Sequence, residues 1–183
     1  MKIRIGVMGS AGDTVTEDAL EALREKAEAL GRALAARDAF VLTGGTTGLP
    51  HVVGKTAQAH GALHVGISPA ANEREHVDVF HLPTEGCDLL VYTGFGLKGR
   101  NVVLVRSCDV VLFVRGSMGA LNEFTIAHDE GKIIGCLTGT GGVADEALRL
   151  LETFSKRTSA RVFYDHDAER LLGACIAALK ETR

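Results

Sequence analysis

Short apolar runs, each followed by a segment with helical periodicity, recur along the chain. The first run, residues 3–7, leads into the glycine turn Gly9-Ser10-Ala11-Gly12, and Thr14 and Glu17 then have the spacing of a capping box. Apolar residues next recur every three or four positions, at Leu20, Leu23, Ala27, Leu30 and Leu34. This spacing indicates one buried helix face. The start of the chain therefore predicts a strand, a glycine turn that is a candidate ligand loop, and an amphipathic helix.

The same order of elements continues to the end of the chain. Strands are predicted at 39–42, 64–67, 89–92, 132–137 and 162–164, and helices at 49–60, 143–154 and 168–180. A further short strand is predicted from the apolar residues Val77, Val79 and Leu82. Several strands are apolar on both faces, as in a parallel sheet buried between helix layers. We therefore expect one domain over residues 1–183 with an α/β fold, a Rossmann-like doubly wound parallel sheet.

The stretch from Thr93 to Glu123 contains two of these turns in succession. It predicts a glycine turn, a short helix that begins at Arg100, an apolar strand, and a second glycine turn that starts another helix. In an open parallel sheet, ligands bind at the carboxyl ends of the strands, and the N–H groups of helix N-termini suit phosphate. This stretch is therefore the predicted ligand site.

The first of these turns, Gly94 to Gly99, matches the GxGxxG pattern of dinucleotide sites. The predicted helix after it is short, and the next strand ends at Arg115, where an NAD site would have an acidic residue. An arginine at this position could instead contact the 2′-phosphate of NADP. Glycines that only permit a tight turn are the other interpretation.

The second turn, residues 115–119, places two glycines and Ser117 where a strand becomes a helix. Backbone N–H groups and the Ser117 hydroxyl could bind a phosphate there. Glu123 is predicted in the first turn of the helix, where the dipole favours a carboxylate. Glu123 either contacts another group at the site, such as ribose hydroxyls or an attacking water, or it only stabilises the helix.

Composition limits the classes of partner. The net charge of −3 argues against nucleic acid, no apolar run approaches the length of a membrane span, and four cysteines without CxxC spacing indicate reduced thiols and a cytoplasmic location. The seven histidines lack the spacing of metal ligands, so no metal site is predicted and they are expected to be solvated or packing residues. Leu49, where a P-loop needs glycine, excludes that motif around Gly54-Lys55-Thr56.

The central motifs resemble those of the LONELY GUY branch of Rossmann-like nucleotide-binding proteins, long labelled lysine decarboxylases. Its members carry PGGxGTxxE and an upstream Arg-Lys pair. The segment RGSMGALNE at 115–123 corresponds to the first motif, and Arg100-Asn101 to the second. An Arg-Asn pair after Thr93-Gly94 is more similar to the related molybdenum-cofactor carrier-like proteins.

The resemblance implies a small-molecule nucleotide ligand and, in active members, hydrolysis of the N-glycosidic bond of a nucleoside 5′-monophosphate to base and ribose 5-phosphate. Arg100 and Glu123 would be the catalytic pair. No cofactor would be required, a nucleotide or phosphate would be bound, and a homodimer or higher homo-oligomer is expected. The predicted nucleotide and phosphate contacts lie in the glycine turns and beside the arginine: Gly9, Ser10, Gly44, Gly45, Thr46, Thr93, Gly94, Asn101, Gly116, Ser117, Met118, Gly119 and Ala120.

The departures from the family motifs leave two functions open. Pro-Gly-Gly is replaced by Arg115-Gly116-Ser117, the Thr by Ala120 and the Lys by Asn101. The Thr hydroxyl and the Lys charge, two expected phosphate contacts, are thereby lost. Arg115 and Ser117 could replace part of this interaction. The chain is therefore expected to be a nucleotide-binding phosphoribohydrolase or, alternatively, a non-catalytic carrier of a nucleotide or of the pterin-based molybdenum cofactor.

Overall fold

The computed structural model describes residues 2–10 and 17–182. Ala11 and Gly12 of the first turn and Thr14 of the predicted capping box lie outside the described residues. Over the part described, seven strands alternate with helices. The strands are β1 (Ile3–Gly9), β2 (Ala39–Thr43), β3 (Leu63–Ser68), β4 (Leu89–Tyr92), β5 (Val110–Val114), β6 (Ile133–Leu137) and β7 (Arg161–Asp165). The α-helices are α1 (Glu17–Ala35), α2 (Leu49–Ala59), α3 (Gly96–Ser107), α4 (Met118–Asp129), α5 (Val143–Thr153) and α6 (Ala168–Glu181).

All neighbouring strands pair in parallel, in the order β4-β3-β2-β1-β5-β6-β7. The chain moves outward from β1 through β2, β3 and β4 and then returns to the other side of β1 with β5. The strand order therefore reverses between β1 and β5, and the crevice at such a switch point is where doubly wound proteins bind ligands. The predicted single-domain α/β fold is confirmed.

Two apolar cores cover the two faces of the sheet. On one face, α1, α2 and α6 pack on side chains such as Ile5, Val41 and Leu112. On the other, α3, α4 and α5 pack on residues that include Phe113 and Ile134. Alternate residues of each central strand thus serve opposite cores, which is why β5 is apolar throughout.

The structure corrects three local predictions. Residues 77–82 do not form a strand: a short π-helical segment covers Glu75–Val79, and Val79 is 66% exposed. Leu20 of the predicted apolar face of α1 is exposed as well. Helix α3 begins at Gly96 and not at Arg100, and its 12 residues exceed the short helix expected there.

The four cysteines are free thiols, and three of them are buried in the cores. Over the residues that the structure describes, no helix has the length and apolar character needed to cross a membrane.

Candidate functional site

A cleft of about 250 Å³ lies at the carboxyl ends of β1, β2 and β5, at the switch point of the sheet. Four of the residues that line it are apolar: Val7, Met8, Pro50 and Leu97. The remaining lining residues come from the ends of β1 and β2 and from α3 and α4: Gly9, Gly44, Thr46, Lys98, Arg100, Ser117, Gly119, Ala120 and Glu123. The two predicted turns therefore meet in one cleft.

Arg100 and Glu123 form a buried ion pair at the base of this cleft. Both residues are 6% exposed, and Nη1 of Arg100 donates a hydrogen bond to Oε1 of Glu123 over 3.0 Å. The same nitrogen donates to Oδ1 of Asn101 over 3.0 Å, and Nδ2 of Asn101 donates to Asn122 over 2.8 Å. Asn101 thus fixes the guanidinium and is itself held by α4.

Burial dominates the electrostatics of this pair. Loss of water raises the pKa of Glu123 to about 7, against the opposing effects of the Arg100 charge and hydrogen bond and of the Lys98 charge. The same burial lowers the pKa of Arg100 from its ordinary value, and Glu123 opposes that change. Arg100 remains cationic at neutral pH, whereas Glu123 can gain or lose a proton there.

Glu123 lies in the second turn of α4, because that helix begins at Met118. The prediction of a first-turn carboxylate is wrong in position. Its burial against Arg100, and its place in the cleft, also argue against a role restricted to stabilising the end of the helix.

Gly44 allows the arginine to reach its position. A Cβ at residue 44 would lie 2.7 Å from three atoms of the Arg100 guanidinium, so any larger residue would displace that group. Among the residues that the structure describes, Nε of Arg100 is buried without a hydrogen-bond partner, and so is Oγ of Ser10, in the residue next to Gly9 of the cleft. Since native proteins seldom leave buried polar atoms unpaired, both atoms are suited to a ligand or bound water.

The turn before α4 offers backbone donors to the cleft. The first intrahelical bond of α4 runs from the N–H of Leu121 to the carbonyl of Ser117, which leaves the N–H groups of residues 118–120 without an intrahelical acceptor. The Ser117 side chain makes no capping hydrogen bond, so its hydroxyl is also available to a ligand. These groups and the positive end of the helix dipole can bind an anion.

The glycine loop before α5 hydrogen-bonds the turn that precedes α4. Backbone N–H groups of Val143 and Ala144 donate to the carbonyls of Gly116 and Arg115 over 3.0 Å each. The N–H of Arg115 donates to Oγ1 of Thr140, and its guanidinium donates to the Thr140 carbonyl. The side chain of Arg115 thus binds the supporting loop. It does not line the cleft, which argues against both an NADP 2′-phosphate contact and a replacement phosphate contact there.

The structure brings together eight of the fifteen predicted site residues as lining of the cleft. These are Gly9, Gly44, Thr46, Arg100, Ser117, Gly119, Ala120 and Glu123. The other seven, which do not line it, are Ser10, Gly45, Thr93, Gly94, Asn101, Gly116 and Met118. The Thr93 hydroxyl, for example, donates a hydrogen bond to the Ser68 carbonyl over 2.7 Å. Gly116 packs against Ala120 and Val143, where a Cβ at position 116 would meet both side chains. Their role in ligand binding stays a prediction.

Lys98 and the four apolar residues that line the cleft were not predicted. Lys98 lies in the first turn of α3 and contributes its charge beside α4. The sequence signal was a lysine inside the glycine turn, two residues before Arg100. Residues two apart point in different directions on a helix, so the spacing did not place both in one cleft.

Two histidines have structural partners inside the fold. His64 hydrogen-bonds Oγ1 of Thr43 over 2.9 Å and the carbonyl of Gly86, and His76 bonds Ser68 and the Pro83 carbonyl. Both are fully buried, as expected of packing residues. Among residues 2–10 and 17–182, no three His, Cys, Asp or Glu side chains are grouped to hold a metal ion.

The fold and the paired motifs define a Rossmann-like protein of the LONELY GUY superfamily, in its branch similar to molybdenum-cofactor carriers. The family model described as the SLOG cluster4 family matches residues 2–172, and the chain belongs to that family.

Individual relatives agree with this assignment. An uncharacterized protein of Archaeoglobus fulgidus is 30% identical over 151 residues, which are 82% of this chain and 89% of that protein. The X-ray structure of the protein TM1055 has a TM-score of 0.81 at 25% identity and covers 97% of this chain and 99% of its own. The molybdenum cofactor binding protein from the phototrophic bacterium Rippkaea orientalis has a TM-score of 0.74 at 25% identity, with 98% of both chains covered.

Proposed function

We propose that this protein binds a phosphorylated small molecule, a nucleotide or a pterin-based molybdenum cofactor, in the cleft between β1 and β5, and that it serves as a binding or carrier protein. The observation that carries the proposal is the convergence of Lys98, Arg100 and the N-terminus of α4 on one cleft at the switch point of the sheet. Phosphate fits such a site because several N–H donors and the Lys98 ammonium can share its charge, beside the Arg100–Glu123 ion pair.

The apolar residues of the cleft are compatible with a ligand that has a flat, weakly polar part. Pro50 and the 49% exposed Leu97 offer no hydrogen-bonding side chains, which suits the face of a purine or pterin ring. The similarity to the Rippkaea orientalis protein, which binds molybdenum cofactor, makes a phosphorylated pterin as reasonable as a nucleotide.

The binding proposal is tested by calorimetric titration with matched ligand pairs. We expect AMP and GMP, or a pterin phosphate, to bind at least tenfold more tightly than the same compounds without phosphate, since a charge-assisted hydrogen bond stabilises a complex by about 1.5–3 kcal/mol. Equal affinity of a phosphorylated ligand and its unphosphorylated partner would contradict the proposal.

A second candidate function, hydrolysis of a nucleoside 5′-monophosphate, is favoured by one observation: a carboxyl group with a pKa of about 7 lies in the cleft, paired with an arginine. A group with this pKa is suited to general acid-base catalysis at neutral pH. In this reaction water attacks the anomeric carbon as the C–N bond breaks, and the departing base takes up one proton for the one that the attacking water loses. Ionised Glu123 would take the proton from water and stabilise the positive charge on the ribose.

Chromatographic detection of free base distinguishes the two functions. Under the hydrolytic mechanism we expect wild-type protein to release base from a nucleoside monophosphate, and Glu123→Gln to lose at least 100-fold of that rate while the ligand still raises its melting temperature. Equal rates in the two proteins would refute the role of Glu123. If wild type releases no base from a panel of nucleoside monophosphates, only the binding function remains.

A further inference from the structure

Among the described residues that line the cleft, Lys98 is the cation outside the Arg100–Glu123 ion pair. It is the third residue of α3, and a Cβ built on Gly119 of α4 would lie 3.7 Å from its Nζ. The ammonium makes no ion pair or hydrogen bond with the residues described. The N-terminal turns of α3 and α4 therefore lie close together in the cleft.

The location of this lysine works against the stability of its own helix. A cation in the first turn of a helix faces the positive end of the dipole, which costs about 0.3–1 kcal/mol in such positions. Among the described residues, two helix N-termini and two cations line the same space, and the carboxylate among them is Glu123. An anion is the ligand that relieves this concentration of positive charge.

A second, independent feature points to a ligand at the same place. The Arg100 side chain is 7% exposed, lines the cleft, and carries a buried Nε that has no hydrogen-bond partner in the described part of the chain. Asn101 contributes no charge, since its side chain bonds Arg100 and Asn122. Of the side chains lining the cleft, Lys98 is therefore the one whose charge is available to a ligand.

We infer that Lys98 determines the preference of the cleft for a terminal phosphoryl group, which it would bind together with the N–H groups at the start of α4. This inference rests on the proposed binding of a phosphorylated ligand. Lys98 lies three residues before Asn101 and hence nearly one turn nearer to the N-terminus of α3. Lys98 is exposed whereas Arg100 is buried, so the ammonium lies on the solvent side of the cleft, where it would bind the dianionic end of a ligand and not its ribose or ring.

The test is the affinity of wild type, Lys98→Met and Lys98→Arg for AMP, adenosine and inorganic pyrophosphate. We expect Lys98→Met to weaken AMP and pyrophosphate binding tenfold or more without changing adenosine binding, and to make the AMP affinity less sensitive to salt. Lys98→Arg should retain most of the AMP affinity. Lys180→Met on α6, another exposed lysine remote from the cleft, is the control and should bind as wild type.

The outcomes separate this inference from the function on which it rests. If wild type prefers AMP to adenosine and Lys98→Met keeps that preference, the role of Lys98 is refuted while the proposed function stands. If wild type binds neither AMP nor pyrophosphate better than adenosine, the proposed phosphate site is refuted together with the inference. Melting temperatures near that of wild type establish that each variant is folded.

Discussion

Replacing Arg100 with methionine is expected to destabilise the protein by about 3–5 kcal/mol, because it leaves the Glu123 carboxylate buried without its counter-charge. The free energy of unfolding, measured by chemical denaturation, should fall more at pH 8 than at pH 6. Burial raises the folded-state pKa of Glu123 and Arg100 lowers it, so removal of Arg100 raises this pKa further, and the folded variant binds more protons than the unfolded chain over a wider pH interval than wild type does. Stability therefore decreases as the pH rises through that interval.

Two comparisons make this result specific to the buried pair. Arg106→Met removes an ion pair with Glu130 at the surface end of the same helix and should cause a much smaller loss. The double variant Arg100→Met/Glu123→Met should recover part of the stability lost in the single variant, because no charge then remains buried. A single variant that is no less stable than Arg106→Met would contradict the assigned energetics.

Gly119→Asp is expected to abolish phosphate-dependent binding while the protein remains folded. Apart from Nζ of Lys98 at 3.7 Å, a Cβ at residue 119 meets no atom within 4 Å, and an acid in the first turn of α4 is favoured by the helix dipole. The new carboxylate would pair with Lys98 and repel an incoming phosphate. We expect the AMP affinity to fall about 100-fold, measured by calorimetry, from the repulsion between like charges.

The control for this charge change is Gly173→Asp in α6, where a Cβ would meet nothing within 4 Å. It should retain wild-type affinity for AMP. Gly119→Ala, which adds the Cβ without the charge, should lose little affinity. Wild-type binding by a folded Gly119→Asp variant would mean that the anion does not bind at the start of α4.

The central strands could be predicted because both faces of each are buried. β5 and β6 read as unbroken apolar runs, and the glycine turns after them fixed the edge of the sheet where the cleft lies. The false strand at residues 77–82 has the opposite cause. Its apolar residues are largely exposed. The π-helical segment there is anchored by the buried His76, which hydrogen-bonds Ser68 and Pro83, and the local sequence pattern does not predict these bonds.

The site was predictable in its glycine turns and less so in its side-chain directions. Gly96 and Gly99 have low helix propensity, so the sequence did not predict that α3 begins at Gly96. The position of Lys98 in the first turn of that helix was therefore missed as well. The burial of Arg100 depends on Gly44, which is 56 positions away in the chain and becomes its neighbour only through the pairing of β1 with β2 and β5. Homo-oligomer formation stays a prediction.

The most direct measurement is a crystal structure of the wild-type protein with AMP. The proposed function predicts that the phosphate lies within hydrogen-bond distance of the N–H groups of residues 118–120 and of Nζ of Lys98, with the base against Leu97 and Pro50. Phosphate bound elsewhere, for example beside the apolar groove that Phe124 and Leu151 line between α4 and α5, would contradict it.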